Sequence, residues 1–192
     1  LMVGPTGSGK STTLYSMINA LNTTDRKILT LEDPIESAIS GITQIPIDTN
    51  GGSNFADGLR SVLRLDPDIV MVGEIRDKDT ARTAIQASIT GHLVLSSFHA
   101  NSTSAAFSRM IDLIGTNPIF SSAIRLVIAQ RLVRKLDENK QEYQPDEATR
   151  IWVQTVLKGV NSDYLPQDIQ GDFKLWQAVP TVENPFGYKG RT

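Results

Sequence analysis

Cysteine is absent from the 192 residues, so the chain can form neither a disulfide nor a thiolate metal site. That composition fits a reducing compartment. An apolar run approaching the roughly 18 residues of a membrane-spanning helix is also missing, and no segment has the pattern of a signal peptide. An excess of positive charge is missing too: 19 Lys and Arg stand against 21 Asp and Glu, a net charge of −2. The chain as a whole therefore offers no electrostatic footprint for DNA or RNA. No repeat or low-complexity tract interrupts it. The simplest reading is one domain, long enough to bury about 70% of its unfolded surface.

What is present begins at once. Gly4-Pro5-Thr6-Gly7-Ser8-Gly9-Lys10-Ser11 fits the phosphate-loop pattern G-x-x-x-x-G-K-[ST] without mismatch. Glycines at this spacing let the backbone curl so that successive N–H groups face one anion. Lys10 brings an ammonium to the β/γ-phosphates, and the Ser11 hydroxyl can ligate Mg²⁺. The helix opening here adds its positive dipole end. Leu1-Met2-Val3 reads as the end of a strand and Thr12 to Ile18 as a helix, the setting this loop requires. We therefore expect Thr6, Gly7, Ser8, Gly9, Lys10, Ser11 and Thr12 to contact nucleotide. A Gly-rich surface turn is the bland alternative.

Strand and helix signals then alternate. Lys27 to Leu31 and Ile69 to Val72 read as buried strands, and so does His92 to Ser96. Gly41 to Ile47 alternates and carries a proline, which predicts an edge strand. Asn54 to Leu65 is amphipathic, and Asp77 to Ile89 is a helix stopped by Gly91. This order implies a parallel sheet with helices on both faces, and ligands beyond the carboxyl ends of its strands. Beyond Ser102 the pattern predicts helices over Ser104 to Ile114, Pro118 to Ala129 and Ala148 to Leu157. Gln130 to Leu136 and Phe173 to Val179 read as extended, Asp137 to Glu147 and Asn161 to Asp172 as loops. The expected division is a phosphate-loop core over 1–102 and a mostly helical part over 103–192 packed on it. The strand before the loop keeps three residues where about five or six are usual. Residues Gly187 to Thr192 also stop in mid-pattern, so we read the chain as a piece of a larger protein.

Further motifs lie at the expected strand ends. Asp66 to Glu74 resembles a Walker B segment, an apolar strand delivering an acid beside Mg²⁺ and the γ-phosphate. Gly73 stands where an aspartate is usual. Thr30-Leu31-Glu32-Asp33-Pro34-Ile35-Glu36 sets three carboxylates past the second strand, placed to orient or deprotonate water. In isolation it would read as a solvated acidic turn. His92 and His99, the only histidines, bracket a buried strand. His99 falls on the ligand side, where it could contact the γ-phosphate. His92 falls at the opposite end, where a structural role is expected. A histidine in a loop is otherwise an ordinary polar residue. The two histidines point to opposite ends and cannot share one ion.

The order G-P-T-G-S-G-K-S-T-T-L-Y, L-E-D-P-I-E, D-P-D-I-V-M-V-G-E-I-R-D, T-G-H-L-V-L-S-S-F-H-A-N resembles the secretion ATPase superfamily, which includes the ATPases of type II secretion and type IV pili. In that family these segments are the Walker A, Asp box, atypical Walker B and His box motifs, and the glycine before the Walker B glutamate is part of the pattern. The resemblance covers essentially the whole chain. It implies a RecA-like α/β domain that hydrolyses ATP with Mg²⁺, in a cytoplasmic homo-hexamer held at the inner membrane through a platform protein. By the same resemblance Glu36 is the catalytic base and Glu74 the Walker B glutamate, near Mg²⁺ through water. His99 is the His-box histidine, and Lys10 and Ser11 are phosphate and Mg²⁺ contacts.

Gln130 to Leu136 and the closing Gly187 to Arg191 are similar to the assembly and secretion branch. Those relatives commonly carry two C-x-x-C pairs binding zinc between the two segments; here Leu136-Asp137-Glu138-Asn139-Lys140 has none, so no zinc is expected. The family's N-terminal half, which supplies arginines to the nucleotide, is not in this chain. Arg60, Arg64 and Arg76 are candidates for that task or for surface carboxylate pairs. Two other readings stand beside a pilus-assembly or secretion motor: a nucleic-acid translocase on the same core, opposed by the charge, and a non-catalytic ring scaffold, opposed by the intact Lys10, Glu36 and Glu74.

Overall fold

Side chains that alternate between the two faces of one sheet organise the first part of the molecule. In the computed structural model, which describes residues 1–116, 119–165, 169 and 173–192, the chain divides into two compact units, Leu1–Arg131 and Leu132–Thr192. The expected division after Ser102 therefore moves to Arg131, because the helices that follow Ser102 pack within the first unit.

Among the described residues, the first unit has one six-stranded sheet. Its strands are β1 (Met2–Val3), β2 (Ile28–Glu32), β3 (Thr43–Pro46), β4 (Ile69–Ile75), β5 (Leu93–Phe98) and β6 (Ile128–Ala129), in the order β3-β2-β4-β5-β1-β6. Every pairing is parallel. β3 takes the edge, as its proline required. The helices are α1 (Lys10–Leu21), α2 (Phe55–Leu63), α3 (Lys78–Ile89), α4 (Thr103–Ile114) and the short α5 (Ile119–Ala123).

The two-residue period of the strands sorts the core into two layers. Met2, Ile28, Ile69 and Met71 face Leu14 and Ile18 of α1. Their neighbours Val3, Leu29, Val70 and Val72 face Phe55, Leu59 and Val62 of α2, Ala81 and Ala84 of α3, and Ala106 and Met110 of α4. Central strands covered on both sides are apolar at most positions; the buried polar residues of β2 are Thr30 and Glu32. Side-chain caps fix three helix starts: Asn54 accepts from the Asp57 N–H, Asp77 from the Thr80 N–H and Ser102 from the Ala105 N–H. Each cap is worth about 1 kcal/mol.

One expectation fails in this unit. The helix predicted over Pro118 to Ala129 ends at Ala123, and Ile128–Ala129 pairs with β1 instead. Backbone hydrogen bonds to β1, Ile128 N–H to Leu1 O at 2.9 Å and Gln130 N–H to Val3 O at 2.8 Å, override the local helical pattern. Pro118 itself lies outside the described residues.

The second unit pairs β7 (Arg134–Leu136) with β10 (Tyr188–Arg191) and β8 (Lys140–Tyr143) with β9 (Leu175–Ala178), both antiparallel. It also holds α6 (Glu147–Leu157) and a 3-10 turn at Ser162–Tyr164. The loop predicted over Asp137 to Glu147 thus contains a strand, β8, which finds its partner about 35 residues away by register Lys140↔Ala178 to Tyr143↔Leu175. Of the loop expected over Asn161 to Asp172, positions 166–168 and 170–172 lie outside the described residues. No helix among the described residues is long and apolar enough to cross a membrane.

Candidate active site

The phosphate loop, the acidic segment after β2, Glu74 and His99 arrive at the carboxyl edge of the parallel sheet. The phosphate loop joins β1 to α1. Gly4, with φ +148°, is held so closely that a Cβ there would lie 2.5 Å from the Gln130 carbonyl oxygen and 2.6 Å from Ser8 Oγ. No other residue fits that position. Gln130 also accepts from the Thr13 hydroxyl at 2.8 Å. It is a prop beneath the loop that the sequence showed only as part of an extended segment.

The loop has the donor set an anion needs. Gly9 caps α1 in the left-handed region with no side-chain cap, and no acid occupies the first turn. Among the described residues, the amides of Gly7, Gly9, Lys10, Ser11 and Thr12 donate to no backbone or side-chain acceptor, and the buried Ser8 Oγ has no hydrogen-bond partner. Such unmet donors at a helix N-terminus form a ready anion cradle. Thr6 and Gly7 form its exposed tip. The Lys10 ammonium donates to Gly4 O at 3.0 Å and Pro5 O at 2.9 Å, across the mouth of the loop. Burial lowers its pKa from the ordinary 10.5, and the charge of Glu74 acts in the opposite direction.

Glu74 is brought to this edge by an irregularity in β4. Val72 pairs with Ser96 and Glu74 with Ser97, so Gly73 is an extra residue without a partner. A Cβ at Gly73 would sit 3.2 Å from the Leu31 carbonyl oxygen. The glycine thus lets β4 lie close against β2 at the bulge. The Glu74 carboxylate, 16% exposed, is shared between two side chains: one oxygen pairs with the Arg76 guanidinium, and the other lies 3.3 Å from His99 Nε2. The bond to Glu74 raises the pKa of Arg76 further, with Asp33 adding to the effect. The His99 loop is held by two arginines, Arg109 donating to His99 O at 2.7 Å and Arg131 to Asn101 O at 2.6 Å. Lys10, Glu74 and His99, separated by 64 and 25 positions, are thereby gathered.

The acidic segment divides its labour. Glu32 is 4% exposed and fully engaged, accepting from Tyr15, from Thr30 Oγ1 at 2.5 Å and from Gln44 Nε2 at 3.0 Å. Asp33 accepts from the Thr49 hydroxyl. Glu36 is exposed, and its carboxylate makes no hydrogen bond or ion pair among the described residues; its backbone N–H donates to the Tyr15 hydroxyl at 3.2 Å. The structure therefore does not bring the Glu36 side chain into contact with Lys10, Glu74 or His99. Of the candidate arginines, Arg60 pairs with Asp57 on α2 and Arg64 donates to Ser61, leaving Arg76 at the site. His92 lies at the other end of β5, its ring Nδ1 3.1 Å from the Ala87 carbonyl that closes α3.

In the second unit the cysteine-free insertion is closed by polar groups. Asn184 Nδ2 donates to Asp137 Oδ2 at 2.6 Å and to Tyr188 O at 3.1 Å, and the Asp137 N–H donates to Gly187 O at 3.0 Å. The Asn184 N–H in turn donates to the Thr181 hydroxyl at 2.9 Å. No cluster of three or more His, Cys, Asp or Glu among the described residues could hold a metal ion.

Type II secretion system protein E of Pseudomonas aeruginosa is 53% identical over 195 residues, covering 100% of this chain and 36% of that protein. Type IV pilus assembly ATPase PilB of the same organism is 41% identical over 192 residues, covering 100% of this chain and 32% of that protein. The chain thus spans about a third of the length of these curated relatives. A crystal structure of the pilus retraction motor PilT with bound ADP superposes with a TM-score of 0.63 at 40% identity, over 70% of this chain and 42% of that one. Residues 1–192 match the family described as Type II/IV secretion system protein, and the chain belongs to that family.

Proposed function

We propose that this chain is the nucleotide-hydrolysing module of a type II secretion motor. The observation that carries the reading is the convergence of Lys10, Glu74 and His99 beside a loop of unpaired amides. ATP is the proposed substrate. Mg²⁺ is the proposed cofactor, and the residues present suit it: a hydroxyl at Ser11 on the first turn of α1 and a mostly buried carboxylate at Glu74. When bound, the ion would neutralise charge on the β- and γ-oxygens.

The loop amides and Lys10 bind and orient the phosphates. Glu36, in the turn beyond β2 with a carboxylate that has no partner among the described residues, is the proposed base that takes the proton of the attacking water. Glu74 fixes Arg76 and His99, two donors positioned to meet charge developing on the γ-phosphate. Hydrolysis of the β–γ anhydride bond would leave ADP and phosphate. In the complete protein further arginines are expected to add a factor of about 10³–10⁵ in rate.

The greater identity to the secretion protein than to the pilus ATPase of one organism supports secretion over pilus assembly. A cytoplasmic homo-hexamer, peripheral to the inner membrane through a platform protein, is the assembly proposed for the full-length protein, without zinc and without nucleic acid. The test is steady-state ATPase assay of the full-length protein. We expect Glu36→Gln to abolish turnover and to leave binding of a non-hydrolysable ATP analogue intact. Parental turnover by Glu36→Gln removes Glu36 from the mechanism, and loss of analogue binding removes the ground for calling it a base.

A further inference from the structure

We propose that Tyr15 is a positioning residue whose hydroxyl ties the phosphate-loop helix to the turn that carries Glu36, an inference that rests on the reading of Glu36 as the base. Tyr15 lies four residues after Ser11 in α1, so the two share one face of the helix, a turn apart. Its hydroxyl makes two bonds of opposite sense. It donates to the buried carboxylate of Glu32 and accepts the Glu36 N–H at 3.2 Å.

Glu32 is a fixed post and not a free base. Thr30 and Gln44 hold its other oxygen, at 2.5 and 3.0 Å. Gln44 continues the brace by donating to Ser37 O at 2.9 Å and accepting the Ile39 N–H at 2.7 Å. The turn is thus gripped by Tyr15 at residue 36 and by Gln44 at residues 37 and 39, both anchored on Glu32. The Glu36 carboxylate has no bond of its own among the described residues, so its place is set by its backbone, and one of the two grips on that backbone is a hydroxyl on the helix that begins at the phosphate loop. A shift of α1 upon loading of the loop is transmitted to the turn by this bond. Burial, then the bond to Glu32, raises the pKa of the Tyr15 phenol above 10.0, which keeps it a neutral donor at physiological pH.

Tyr15 also packs against the core layer that includes Leu14 and Ile18, so the test must separate hydroxyl from ring. Tyr15→Phe in the full-length protein keeps the ring. We expect faster amide hydrogen exchange at Glu36 and Ser37. We also expect kcat to fall by about 10²-fold, the scale of an ångström's misplacement of a reacting group, with KM changed by less than about threefold and analogue binding unchanged. In a Glu36→Gln background the same substitution should still speed exchange and cost no further activity. Unchanged exchange in Tyr15→Phe overturns the tie itself, whatever the role of Glu36. Faster exchange with parental kcat overturns the positioning role, and loss in Tyr15→Ala but not Tyr15→Phe assigns the effect to packing and overturns it as well. Parental activity of Glu36→Gln alone overturns the base, and with it the positioning role, whereas the exchange readout still reports on the bond.

Discussion

The Ser97 hydroxyl donates to the Gly73 carbonyl at 2.7 Å, across the one place where the register of β4 and β5 slips. That bond holds the bulge from which Glu74 reaches Arg76 and His99. Gly73 is therefore more than a missing aspartate. With a Cβ only 3.2 Å from the Leu31 carbonyl oxygen, an aspartate here would press a carboxylate on a backbone acceptor.

Gly73→Asp should accordingly destabilise the protein by about 1–3 kcal/mol, the usual cost of overpacking. The melting temperature should fall by about 2–4 °C per kcal/mol. Differential scanning calorimetry checks this. An unchanged melting temperature would mean that β4 has room for a side chain, and the steric account of the bulge would fail.

Glu74→Gln keeps the shape of the side chain and removes the charge shared by Arg76 and His99. Turnover of the full-length protein should drop by about 10²–10⁴-fold, the range for losing a positioned group in proton transfer or its support. Affinity for ADP should stay within a few-fold, because that contact is proposed to rest on the loop amides and Lys10. Kinetics beside fluorescent-nucleotide titration separates the two. A large loss of ADP affinity with normal turnover would reverse the assignment.

What was legible in the sequence was what is local. The phosphate loop is contiguous, and the buried strands Ile28–Glu32 and Ile69–Ile75 announce themselves by apolar runs because both of their faces are covered. Strand β6 was not legible: Ile128–Ala129 is too short to carry a period, and only β1 makes it a strand. Strand β8 was hidden for a different reason. Lys140-Gln141-Glu142-Tyr143 is polar and mostly exposed, so it lacks the alternation that burial of one face would impose. At the site, Glu74 and His99 stood out as motif residues, but the bulge at Gly73, the prop at Gln130 and the links from Tyr15 are set by tertiary contact, which no local spacing reports.

The Asp137–Asn184 bond offers a metal-free closure for the second unit, and it has a pH signature. The bond from Asn184, then that from the Glu138 N–H, lowers the Asp137 pKa below 3.8. A depressed carboxylate stabilises the fold above its unfolded pKa and loses that contribution as pH falls through the folded one. Protection of the Asp137 and Gly187 amides should therefore hold at neutral pH, survive chelator, and weaken only below about pH 3.8. Asn184→Ala should weaken it at neutral pH. Hydrogen exchange measures all three, and loss of protection on adding chelator would point to a metal instead.

Residues 4–11 are proposed to cradle a nucleotide's phosphates, and the direct test is isothermal titration calorimetry with Mg·ADP. One ADP should bind per chain, and Lys10→Ala should lose about 2–5 kcal/mol, the cost of truncating one partner of a close charge pair. Parental ADP affinity in Lys10→Ala, or no binding heat from the intact chain under conditions where it is folded, would contradict it.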